Sequence, residues 1–119
     1  MATIRSITLA ATNVDKMVAF YNAVLDSNLQ EMQPMPGFYM GTLAGYGLIV
    51  CPNEVAEVVA EQNRQQFCFE VSDIEKTFEA GTQTGGKTMT PDFEKSDTEI
   101  RGWLKDPDGN TLEFVQSLS

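Results

Sequence analysis

Residues 4–11 alternate between two faces, with Ser6, Thr8 and Ala10 on one and Ile7, Leu9 and Ala11 on the other. That period of two predicts a half-buried strand whose second face is mildly polar. Thr12-Asn13-Val14-Asp15 follows, a Thr with an acid three residues on, as in a capping box. The apolar positions Val14, Met17, Val18, Tyr21, Val24 and Leu25 then recur at helical spacing, which predicts an amphipathic helix to about Leu25. Three strands are expected within 29–51. Phe38-Tyr39-Met40 and Leu48-Ile49-Val50 form two of the strand bodies, with turns at 33–37 and 44–47.

The pattern then returns. Residues 67–76 can be laid on 7–16, matching Ile7 with Phe67, Leu9 with Phe69, Ala11 with Val71 and Val14 with Ile74. The cap recurs as Ser72-x-x-Glu75, and a second helix runs to the Gly85-Gly86 stop. Strands are expected at 87–90, 99–105 and 111–116. The last two flank Asp106-Pro107-Asp108-Gly109-Asn110, where proline presets φ, glycine supplies a positive φ and the Asx side chains close local hydrogen bonds. Alternation puts Leu112 and Phe114 on one face of the final strand and Glu113 on the other. The chain therefore reads as an α+β domain, 1–119, built as a tandem βαβββ repeat. Module one covers about 4–51, an acidic and partly helical linker 52–64, and module two about 65–116.

Length supports one domain with a real core and no second one. A net charge of −9 opposes nucleic acid and anionic membrane as partners. No basic segment precedes an apolar stretch at the start, and no run is long enough to span a bilayer, so a cytoplasmic protein is expected. Cys51 and Cys68 lie in apolar strand-like runs and are expected as reduced, buried thiols. The chain contains no histidine, which removes the commonest general base and the commonest transition-metal ligand together.

The opening strand, its cap, the helix containing Phe20-Tyr21, the repeated module and the stretch from Gly102-Trp103-Leu104 through Asp106-Pro107-Asp108-Gly109-Asn110 to Glu113 together resemble the vicinal oxygen chelate superfamily. That superfamily includes glyoxalase I, extradiol dioxygenases, fosfomycin resistance enzymes and bleomycin-binding resistance proteins. The resemblance implies two modules whose sheets curl into a cup with helices on the outer face, pairing of chains as homodimers, and in the enzymes a divalent metal in the cup. Carried over residue by residue, the four metal-ligand positions fall on Ser6, Ile49, Gln66 and Glu113. Only Glu113 is a ligand type, and divalent ions need several carboxylate or imidazole ligands. The expectation is therefore no metal and no cofactor, and the reading leans away from an enzyme.

Strand alternation places Ser6, Thr8, Ile49, Gln66, Cys68 and Glu113 on the face away from the helices. Tyr39 and Trp103, matched through the repeat, are expected near the mouth of the cup. Small neutral polar groups, aromatics and one carboxylate suit an organic ligand. The function expected is metal-free binding and sequestration of a small organic molecule, a cation among the candidates, as in bleomycin-resistance proteins. Stacking on Trp103 or Tyr39 would hold the ligand, with charge offered by Glu113. The alternative is a metal-dependent lyase, isomerase or dioxygenase of the glyoxalase type. A closed core, with Trp103 and Tyr39 packing and Glu113 paired to Arg101, is the competing structural reading.

Overall fold

The computed structural model describes residues 3–33, 35–58 and 66–118. Strand β1 (Ser6–Ala11) leads into α1 (Val14–Leu25), which carries Met17, Phe20, Tyr21 and Val24 on its buried face. Strands β2 (Gln30–Glu31), β3 (Tyr39–Leu43) and β4 (Tyr46–Pro52) complete module one. The four strands are ordered β1-β4-β3-β2, with β1 and β4 parallel and the other pairs antiparallel. Of the expected linker, 53–56 form a short helix, α2 (Asn53–Ala56), and 59–64 lie outside the described residues, as does Pro34 of the first turn.

Module two repeats the plan. β5 (Cys68–Glu70) precedes α3 (Ile74–Gln83), and β6 (Lys87–Thr88), β7 (Glu94–Lys95), β8 (Glu99–Lys105) and β9 (Thr111–Ser117) follow. The sheet order is β5-β9-β8-β6, with β5 parallel to β9 and β7 as an additional strand on β8. The caps sit one residue later than the Thr12 and Ser72 expected. Asn13 accepts the Lys16 N–H at 3.1 Å, and Asp73 accepts the Lys76 N–H at 3.1 Å. Both caps moved together because they occupy the same place in the repeat, and each satisfies one of the orphan donors of its helix.

The modules form two mixed sheets, and they meet through their helices. A Cβ on Gly81 of α3 would lie 2.5 Å from Leu104 and 3.3 Å from Phe20 and Val24, so only glycine lets α3 approach so closely. Phe20, Met17 and Leu48 of module one share a single buried cluster with Ile74, Leu104 and Phe114 of module two. The Asp106–Asn110 turn adds a polar clasp. The buried Asp106 carboxylate accepts the Asp108 and Asn110 N–H groups at 3.0 and 2.9 Å, Asn110 Nδ2 at 2.8 Å and the Tyr21 hydroxyl at 2.8 Å. The Thr12 N–H donates to Asp108 at 2.7 Å. Burial raises the Asp106 pKa against the pull of those donors, and burial beside Asp106 raises that of Tyr21.

Candidate functional site

With the helices on the shared core, each sheet turns its other face outward. Register fixes which residues lie there, because directly paired residues share a face. On the first sheet, Met40 pairs with Ile49, and Ile49 with Thr8, giving one row across β3, β4 and β1. Thr42, Gly47 and Ser6 form the neighbouring row. On the second sheet, Trp103 pairs with Glu113, and Glu113 with Cys68, which is the same row repeated. Gln66, just before β5, is exposed.

The structure thus brings Thr8 together with Ile49, Ser6 with the adjacent row, and Trp103 with Glu113 and Cys68. Tyr39 does not join them. It pairs with the fully buried Val50, packs against the core on the helix side, and its phenol pKa is raised by desolvation and by the Glu31 and Asp15 carboxylates. The residue equivalent to Trp103 is Met40, 48% exposed. The signal was present: a two-residue turn at Ala44-Gly45 sets Leu43 opposite Tyr46, and counting back puts Met40 opposite Ile49. Of the two thiols expected to be buried, Cys51 is and Cys68 is exposed. Cys68 is exposed because β5 is a sheet edge and its residue 68 points away from the helices.

Glu113 is not a free carboxylate. Arg101 Nη1 donates to its Oε2 at 2.7 Å, and Arg101 Nη2 donates to Glu99 Oε2 at 2.5 Å. The guanidinium also lies 3.9 Å from Cys68 Sγ. Hydrogen bonds to Glu113 and Glu99 raise the Arg101 pKa further, so its charge is permanent. For Cys68, burial and then Glu113 push the thiol pKa up, while Arg101 pulls it down. Arg101 is therefore the central side chain of this face; the competing structural reading anticipated its pairing with Glu113.

The four positions that the resemblance assigns to a metal do not fit one. Ile49 offers no donor atom, Ser6 and Gln66 offer only neutral ones, and the Glu113 carboxylate already holds a fixed cation. Among the described residues no group of three or more Cys, Asp or Glu side chains converges to hold a metal ion.

Residues 6–115 match the family model of a glyoxalase-like domain. A glyoxalase-related enzyme from Fulvimarina pelagi superposes with a TM-score of 0.79 at 17% identity, over 98% of this chain and 88% of that one. A glyoxalase/bleomycin resistance protein/dioxygenase family enzyme from Burkholderia phytofirmans PsJN gives 0.79 at 16% identity, over 98% of this chain and all of the other, 100%. TioX from Micromonospora sp. ML1 gives 0.70 at 21% identity, with 98% and 100% covered. These likenesses show the fold. No curated protein matches the chain.

Proposed function

The chain belongs to the glyoxalase-like domain family of the vicinal oxygen chelate superfamily, and from that premise we propose that it binds a small organic ligand without a metal. The observation that carries this reading is the Arg101–Glu113 pair, which closes the one ligand-type position to a divalent ion and leaves Trp103 half-buried beside it. An aromatic ring on an outward sheet face, flanked by polar groups, is a platform for stacking a planar ligand. The protein acts by sequestration, in the cytoplasm. A homodimer completes the site: the Met40–Ile49–Thr8 face and the Trp103–Glu113–Cys68 face belong to different sheets, and a second copy supplies the opposite wall of the cup.

The test is a thermal-shift panel on wild type and Trp103→Ala, with aromatic organic ligands in one arm and divalent metals with a chelator control in the other. A ligand at a hundred times its Kd stabilises by about 2.7 kcal/mol. An organic ligand that shifts wild type and not Trp103→Ala supports the proposal. Stoichiometric metal, removed by chelator, overturns it in favour of glyoxalase-type metal chemistry.

Among the described residues no helix is long and apolar enough to cross a membrane.

A further inference from the structure

On the second sheet the acids and bases of the outward face are unevenly matched. Arg101 is neutralised by two carboxylates. Two positions along the same strand and face from Trp103 lies Lys105, and directly opposite it, on β6, lies Lys87. Like charges in directly paired cross-strand positions destabilise a sheet, with Cβ atoms only about 5 Å apart. Neither ammonium has a carboxylate partner among the described residues, where the only ion pairs are those of Arg101. In a chain with eight bases against seventeen acids, an unneutralised lysine pair is not a consequence of composition.

We infer that Lys87 and Lys105 form an anion-binding subsite beside Trp103, so that the ligand is a planar ring carrying a carboxylate or phosphate group. The inference rests on the proposed binding site and reverses the charge first expected for its ligand. Glu113, the carboxylate expected to meet a cation, is already engaged by Arg101, and the unengaged charge nearest Trp103 along its own strand is positive. Stacking on Trp103 supplies affinity for the ring, and the paired ammonium groups select the anion. An occupied subsite also removes the repulsion between the two lysines, which makes the local cost of the pair a source of discrimination.

Trp103 is the chain's one tryptophan, so its indole N–H resonance reports on this face alone. Phenyl phosphate, benzoate and benzylamine are titrated into wild type and into the Lys87→Gln/Lys105→Gln double variant. The two anions are expected to shift the indole signal of wild type, and the double variant to bind them at least about tenfold more weakly. Thermal stability of the unliganded double variant is expected to equal or exceed that of wild type, since a repulsion is removed, which separates lost binding from lost folding. Equal affinity of the anions for both proteins, or tighter binding of benzylamine than of either anion, overturns the subsite while the Trp103 site stands. If no probe moves the indole signal, the binding site itself is wrong and the subsite falls with it. Phosphate binding without benzoate binding would assign the subsite to phosphate esters.

Discussion

In module one the central outward row reads Met40, Ile49, Thr8; in module two the same row reads Trp103, Glu113, Cys68. The strands that carry the rows correspond, β3-β4-β1 to β8-β9-β5, and module two adds only β7 on β8, so the contrast within the rows lies in side chains. Module one presents a neutral wall of thioether, alkyl and hydroxyl groups. Module two presents a ring, a fixed guanidinium between two carboxylates, and a lysine pair. One fold, used twice, thus keeps its buried residues alike while the outward residues diverge. The buried positions must fill a shared core at high density, and the outward ones answer only to solvent or ligand.

Substitutions at equivalent positions probe that contrast. Val50 and Phe114 occupy the same repeat position and both are fully buried, but Phe114 is the larger side chain and its ring packs edge-on against Phe78. Phe114→Ala is expected to cost about 3–5 kcal/mol and Val50→Ala roughly 2 kcal/mol, measured by urea unfolding. Equal costs would mean that the larger ring adds nothing to the core beyond what valine supplies at the equivalent position. The two caps should behave alike, Asn13→Ala and Asp73→Ala each losing about 1 kcal/mol by the same assay. A cap that proves silent in one module would break the equivalence of the helix starts. The smallest effect is a gain. Ala44 holds a φ of 50° in the first hairpin, beside Gly45 at 88°. Ala44→Gly is expected to stabilise by about 0.5–1 kcal/mol in thermal unfolding, because a left-handed conformation strains any residue with a Cβ.

Periodicity and turn chemistry were enough to read the main elements, but not the two-residue strand β7, too short to show any alternation. The first helix falls on Val14–Leu25 as the apolar spacing requires, and the final hairpin spans the Asp106–Asn110 turn. The Thr12 and Ser72 caps were misread because two adjacent residues at each helix start, Thr12-Asn13 and Ser72-Asp73, can both accept an N–H, and only the backbone conformation decides between them. Tyr39 was misread because repeat matching by residue type favoured the aromatic, while the face is set by turn length and therefore by register. The pairing of Arg101 with Glu113 was legible as the competing reading, but its second partner, Glu99, two residues back on the same strand, joins the cluster only when strand alternation puts both on one face. The arrangement of the modules was hidden for a similar reason. Gly81 looks like an ordinary interruption of a helix until Leu104 and Phe20 are seen against it.

The clasp at Asp106 has a consequence for how the protein is made. Tyr21 meets its carboxylate partner 85 residues later in the chain, and Phe20 and Val24 meet Gly81 only 61 and 57 residues on. While the ribosome is still translating module two, the buried face of the first helix has only half its cover. Module one is thus held in an unfinished state until the last hairpin emerges. The β8–β9 hairpin acts as the closing step for the first helix, and a chain that stops short of it leaves an apolar helix face open to chaperones and proteases.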